Sequence, residues 1–290
     1  MNPADLTARA TYRRGVLLVA GAMLAWSTAG LLARLIDTDP WTTLFWRSVY
    51  ATLSLGCYLA WRDGRTFFAG FRRLGLTGWA MGGCFGASMV FFINALAHTS
   101  VAAVLVFQAA APLFAAALAW ILLRERVSAA KLAAIAVCLA AMLFIVADAD
   151  PGHLTGNLLS FGMALTYSAS VVLARLRTDV PTTEATFVGV VMVILVSAPF
   201  AILTVSPHEM VLFAGFGIVQ MGLALVMFTT GVRLIPAADA GLISILEAVL
   251  APVWVWFAFG ENPGWRTLIG GAVVLAAVLL TAWHEARRTA

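Results

Sequence analysis

A short string occurs twice in this chain, about half its length apart, and each copy opens a long apolar run. Trp26-Ser27 leads into Leu31-Leu32-Ala33-Arg34-Leu35, and Tyr167-Ser168 into Val172-Leu173-Ala174-Arg175-Leu176, each position recurring 141 residues later. The later parts of the halves align at a spacing of 136, so that Gln108 falls on Ser244, Ala111 on Glu247 and Glu125 on Glu261. Duplication constrains the fold severely, because both copies must build the same unit. If that unit crosses a membrane an odd number of times, the second copy stands upside down relative to the first.

The crossings can be counted. Apolar runs of about 20 residues, the length that spans a hydrocarbon core of roughly 30 Å, fall at 15–36, 42–61, 76–97, 101–122, 129–147, 156–176, 184–204, 210–231, 237–259 and 266–283. Five lie in each half, 1–150 and 151–290. Charged residues make up 11% of the chain and the mean hydropathy is +0.95, far too little charge to cover a soluble domain. The expected fold is therefore an all-α integral membrane protein, ten transmembrane helices arranged as two inverted five-helix repeats. Arg9, Arg13 and Arg14 ahead of the first run imitate a secretory signal. That run continues past Leu32 and others follow it, so it reads as a first span.

Charge sets the expected orientation. Of the 18 Lys and Arg residues, all but Arg34, Arg47 and Arg266 fall in the two tails or in the loops 62–75, 123–131, 175–183 and 232–236. The acidic Asp37, Asp39, Asp148, Asp150 and Glu209 fall in the alternate loops. The positive-inside rule then places both termini in the cytoplasm of a multi-pass inner-membrane protein. The pI near 9.3 has the same origin, arginines beside anionic headgroups, and no basic stripe points to nucleic acid. The chain has no Gly-rich phosphate loop, which excludes ATP-driven pumping by this chain alone. No nucleophile–base or metal-ligand constellation is visible, so no catalytic residue, metal or cofactor is expected. Cys57, Cys84 and Cys138 sit in apolar spans and read as small buried hydrophobes.

Inverted repeats place a substrate site near the midplane, between the halves. Polar residues deep in spans are costly there and are candidates for function. Glu247 is the sharpest, an isolated carboxylate that must become neutral, sit in a wet cavity or bond a neighbour such as Gln108. Gln108 and Ser244 are repeat mates, and Ser244 lies one helical turn from Glu247. Asp239 precedes Glu247 by eight residues on the same face. The aromatic–serine pairs Trp26-Ser27 and Tyr167-Ser168 are candidates for the cavity wall, with Phe91 and Phe92 in span 3 and Met227 and Phe228 at matching places in span 8. For single aromatics, lipid-facing packing is the competing reading. Arg34, Arg47, Asp239 and Glu247 are the gate or coupling candidates. Arg34 either snorkels to the interface or pairs with Asp37 or Asp39 at the outer mouth. Gly78, Gly82 and Gly86 form a close-packing face, while Pro112 and Pro252 interrupt spans 4 and 9 as hinges or static kinks.

The run Pro112-Leu113-Phe114-Ala115-Ala116-Ala117-Leu118-Ala119-Trp120, leading to Arg124-Glu125-Arg126-Val127-Ser128, resembles the end of an EamA repeat of the drug/metabolite transporter superfamily. So does Leu246-Glu247 through Gly260-Glu261. Trp46-Arg47 resembles the arginine common in the first such repeat, and Trp26-Ser27-Thr28 with Gly30-Leu31 is similar to the superfamily's aromatic amino-acid exporters. The chain departs from the pattern at Val188, where Arg47 has its counterpart, and at Ala248, where a proline commonly follows the glutamate. The resemblance implies a basket-like bundle with a central cavity that exports amino acids or related metabolites, the bilayer and the small substrate being its partners. Efflux of lipophilic cations, with Glu247 as the anionic contact, is the competing transport reading. Substrate range, coupling, direction and oligomeric state are not set by the sequence.

Overall fold

The computed structural model describes residues 3–124, 128–147, 151–177 and 179–289. The stretch 125–127, Asp148, Asp150 and the side chains of Arg9, Arg287 and Arg288 lie outside that description. Span 1 is α1 (Pro3–Ser27) continued by α2 (Ala29–Leu35), span 2 is α3 (Pro40–Asp63), and a short α4 (Phe67–Arg72) leads to span 3, α5 (Gly75–His98). Span 4 is split into α6 (Val101–Ala109) and α7 (Ala111–Leu123), and span 5 is α8 (Ala129–Val146). Spans 6 and 7 are α9 (Pro151–Leu176) and α10 (Thr182–Ser197). Span 8 runs through α11 (Pro207–Ala214), a π-helical stretch (Gly215–Leu223) and α12 (Ala224–Gly231), and spans 9 and 10 are α13 (Ala237–Phe259) and α14 (Gly264–Thr289).

Nine stretches among the described residues are long and apolar enough to cross a bilayer. The remaining crossing, α3, is diluted by Arg47 and other polar residues, yet its 24 residues reach about 36 Å at 1.5 Å per residue. The polar residues between spans are largely spent on helix starts. Asp39 accepts from Trp41 N and Thr42 N with Pro40 at the first position of α3. Ser100 and Ser128 cap α6 and α8, and Ser206 with Glu209 forms a capping box on α11.

Packing exchanges when the halves are swapped, as two inverted copies require. Helix α5 lies along α9 and α10, and span 8 lies correspondingly along α1 and α3. Span 4 packs on α9, and span 9 on α1 and α2. The glycine face of span 3 is used as its spacing predicts. A Cβ on Gly82 would stand 2.5 Å from Ala185 O, and one on Gly189 would stand 2.4 Å from Gly82 O, so α5 and α10 touch backbone to backbone. Pro112 coincides with the break at Ala110 between α6 and α7, whereas α13 runs unbroken through Pro252. A second break, at Thr28 in span 1, has no proline beside it and is followed two residues on by Gly30.

The apolar core is continuous on one side of the midplane and divided on the other. From the middle to the face opposite the chain ends, one core joins residues of α2, α3, α5, α6, α10, α13 and α14, among them Leu44, Ile93, Val104, Val193 and Val255. Toward the face that carries the chain ends, packing separates into three smaller clusters. One holds Val19, Met23, Ala224 and Ala240, a second Leu74, Met81, Val180 and Val188, and a third Ala115, Ala119 and Val172.

Candidate functional site

Where the continuous core gives way to the divided one, a cavity of about 180 Å³ lies between the repeats. Its wall takes Trp26 and Ala29 from the broken span 1, Arg47 from α3, Phe85, Ser88, Met89 and Phe92 from α5, and Gln108 and Ala111 from the break in span 4. Met163, Ala164 and Tyr167 of α9, Gln220, Met221 and Leu225 of span 8, and Glu247 of α13 complete the lining. Both interrupted helices, spans 1 and 4, thus break where they meet the cavity, as discontinuous helices do in transporters. At roughly 30 Å³ of liquid volume per water the space takes about six waters, and it somewhat exceeds the ~150 Å³ of a cavity that binds benzene.

The structure divides the sequence candidates into two groups. Trp26, Phe92, Gln108, Tyr167, Glu247 and Arg47 all line the cavity, and Tyr167 keeps 41% of its surface open. Gln108 Nε2 donates to Glu247 Oε1 at 3.2 Å, joining the two repeats at the cavity wall. Ser27, Ser168, Phe91, Met227, Phe228 and Ser244 stand behind that wall. Ser27, fully buried, donates to Leu24 O and accepts from Trp254 Nε1 at 3.0 Å. Ser168, also fully buried, reaches Ala111 O at 2.8 Å and Ala164 O at 2.6 Å. Phe91 rests against Gly162, Met227 fills the space over Gly21, and Phe228 stacks on Trp26 with ring centroids 5.1 Å apart. Ser244 bonds back to Ala240 O within its own helix. The aromatic of each repeated pair therefore faces the cavity, and its serine ties two spans together.

Arg47 is the least expected member of the wall. It is 4% exposed, its guanidinium lies 4.5 Å over the ring of Phe216, and Nη2 donates to Gln220 Oε1 at 3.1 Å with Met221 Sδ nearby. The π-helical stretch makes this cradle. Residues 216 and 221 would stand about 140° apart on an α-helix, whereas the wider π turn brings residues five apart close to one face. Gly217 completes the fit, since a Cβ there would meet Arg47 O at 2.5 Å. Neither Gln220 nor the π turn is among the sequence candidates, although a glutamine deep in span 8 is a signal of the same kind as Gln108.

Beyond the cavity, on the face opposite the chain ends, Arg34 closes the bundle. Of the two readings of Arg34, snorkelling to the interface or pairing with Asp37 or Asp39, the structure shows neither: Asp39 is engaged at the start of α3, and Arg34 turns inward instead. Its Nε donates to Glu261 Oε2 at 2.9 Å, Nη1 to Leu96 O at 2.7 Å and Nη2 to Thr99 O at 2.9 Å. Glu261 Oε1 in turn accepts from Val101 N at 2.8 Å, and Thr99 Oγ1 bonds Asn157 Oδ1 at 3.2 Å. One cluster thus gathers spans 1, 3, 4, 6 and 9. At the other face Asp239, off the cavity, accepts from Tyr12 Oη at 2.9 Å, and Arg62 of α3 pairs with Glu184 of α10 at 2.7 Å.

Comparison with known proteins gives the same outline. Residues 13–147 and 154–283 each match the model of the EamA-like transporter family. An uncharacterized transporter of Archaeoglobus fulgidus is 35% identical over 71 residues, 24% of this chain and 26% of that protein, so the match spans about a quarter of the relative's length. A solved crystal structure, 19% identical, superposes with a TM-score of 0.62 over 95% of this chain and 99% of its own, which shows a shared fold.

Proposed function

This chain belongs to the EamA-like transporter family, and from that premise we propose that it exports neutral amino acids, aromatic ones included, from the cytoplasm by alternating access. The observation that carries this reading is the cavity at the seam of the repeats. It is large enough for an aromatic ring, walled by Trp26, Tyr167 and Phe92, and furnished with only a few polar groups. Such a site suits small amphiphilic molecules, apolar contact supplying affinity and placed polar groups supplying orientation. Broad selectivity follows, because one methylene more or less in an apolar pocket discriminates by only about 10- to 200-fold.

The divided packing supports an exit toward the face that carries both chain ends, and the Arg34 cluster supports closure of the opposite face. The arginine-rich loops support a cytoplasmic location for the former, in a cell inner membrane. On this reading the cavity loads from inside. Rocking of the repeats then breaks the Arg34 cluster and packs the inner clusters together, releasing substrate outside. Efflux of lipophilic cations is the weaker reading of the same cavity, because Arg47 places a like charge on the wall that such a cation would occupy.

Uptake of labelled amino acids into proteoliposomes tests the proposal. Saturable flux of phenylalanine and of smaller neutral amino acids is expected. Absence of saturable flux for any of the twenty would end it.

A further inference from the structure

Arg47 has more hydrogen-bonding capacity than its surroundings use. A guanidinium carries five N–H donors, yet Nε and Nη1 of Arg47, both buried, have no partner among the described residues, and its close side-chain oxygen is the neutral Gln220 amide; a ligand reaches these two donors only by displacing part of the wall around them. Among the described residues no carboxylate pairs with it: Glu247, which also lines the cavity, bonds Gln108 rather than Arg47. A buried cation with unsatisfied donors is strongly unfavourable unless something completes it.

The second repeat makes its equivalent crossing without such an arginine. The repeat mate of Arg47 is Val188, the mate of Gln220 is Cys84 and the mate of Phe216 is Ala80. Glu247 breaks the repeat likewise, its mate being Ala111. Where two inverted copies are held to one architecture, the positions that depart in charge and line the shared cavity are explained by what enters the cavity. Here a cation contributed by the first repeat and an acid contributed by the second share one wall.

We propose that Arg47 is the carboxylate receptor of this cavity, held in place by Phe216 and Gln220, and that substrates bind as carboxylates with any ammonium end toward Glu247 and Gln108. The planar fork of a guanidinium matches a carboxylate with two parallel bonds. The inference rests on the cavity being the transport site and deepens that reading, since it makes the carboxylate the group no substrate can lack.

The test uses purified full-length protein in nanodiscs and three probes that share a phenyl ring: phenylalanine, 3-phenylpropionate without the amine, and phenethylamine without the carboxylate. Binding is read by tryptophan fluorescence and by thermal stabilisation. Wild-type protein is expected to bind both carboxylates and to bind phenethylamine roughly tenfold or more weakly, the factor a hydrogen bond to a charged group carries. Arg47→Gln is expected to weaken both carboxylates by a similar factor and leave phenethylamine unchanged, while Arg47→Lys, which keeps the charge but not the fork, retains part of the affinity. The wild-type comparison of the three probes needs no variant and stands even if Arg47→Gln does not fold. Phenethylamine binding as tightly as phenylalanine, no binding of either carboxylate, or carboxylate affinity untouched by Arg47→Gln would each overturn the assignment. Arg47-dependent binding of 3-phenylpropionate without flux of any amino acid would sink the export reading and leave the carboxylate receptor standing. Amino-acid flux indifferent to Arg47→Gln would do the reverse.

Discussion

The repeated aromatic–serine pair holds two roles in adjacent positions. Trp26 and Tyr167 give the cavity its apolar wall, while Ser27 and Ser168 are fully buried behind them and hydrogen-bond across to spans 9 and 4. Replacing Ser27 by alanine would leave the Trp254 indole N–H without its acceptor. An orphaned buried donor costs about 1–3 kcal/mol, so Ser27→Ala is expected to lower the thermal unfolding midpoint while ligand affinity stays close to wild type. A variant of normal stability with weakened binding would show that the serine serves the cavity directly. Repetition in the sequence marks both members of the pair equally and cannot divide them, because the roles differ only in which way each side chain points. The pairing of Gln108 with Glu247 was more legible, since both are costly polar groups halfway through apolar spans. Gln220 carries the same signal, while Glu261 as the partner of Arg34 lies 227 residues away, beyond any local pattern.

At the scale of helices, the apolar runs located the spans because the bilayer demands length and apolarity together, and α3 was legible despite its arginine for that reason. The internal irregularities were less so. The break in span 4 accompanies Pro112, which removes a backbone donor. Pro252 sits inside a continuous helix, and the π stretch of span 8 has no proline at all, its wide turn following from how Gly217 and Gly222 press on α3. Helix contact through glycine is the part that spacing did predict. At the crossing of α5 and α10 the atoms facing Gly82 are backbone of Ala185 and Gly189, so no side chain can move aside. Gly82→Ala therefore has to part the two helices, an overpacking cost of about 1–3 kcal/mol, whereas Gly83→Ala meets only the methionine sulfur of Met192 at 3.8 Å. The thermal midpoint of the first variant is expected to fall several degrees below that of the second. Equal midpoints would mean that the crossing is not tight.

Across the whole molecule, spans 1 and 9 are fastened at three depths. Tyr12 meets Asp239, Ser27 meets Trp254 and Arg34 meets Glu261, each pair separated by 227 residues, the signature of two parallel helices in constant register from one face to the other. Such a pair is expected to move as one body, and its inner apolar cluster is separate from those of spans 3, 4, 6 and 7. Apart from the Gln108–Glu247 bond at the cavity wall, it grips spans 3, 4 and 6 at the Arg34 end, through Leu96 O, Thr99 O, Val101 N and Asn157. The repeat alignment places Arg175 and Glu125 where Arg34 and Glu261 stand, and Arg175 is exposed here. Rocking to the opposite state is expected to break the contacts that Arg34 and Glu261 make with spans 3 and 4 while Arg34 and Glu261 stay paired, and by symmetry Arg175 keeps its place beside the end of span 4. Cysteines at positions 34 and 261, in a chain whose Cys57, Cys84 and Cys138 are alanine, test this directly. An arginine–glutamate contact separates the two backbones by more than a disulfide spans, so a short reducible bis-thiol reagent is the appropriate bridge. Bridging that merely fastens span 1 to span 9 leaves a body that already moves together, and flux should continue. A second bridge, between cysteines at positions 34 and 99, instead ties that body to span 3, and flux should stop until reductant cleaves it. Inhibition by the first bridge alone, or continued flux through the second, would show that the boundary between the moving parts lies elsewhere.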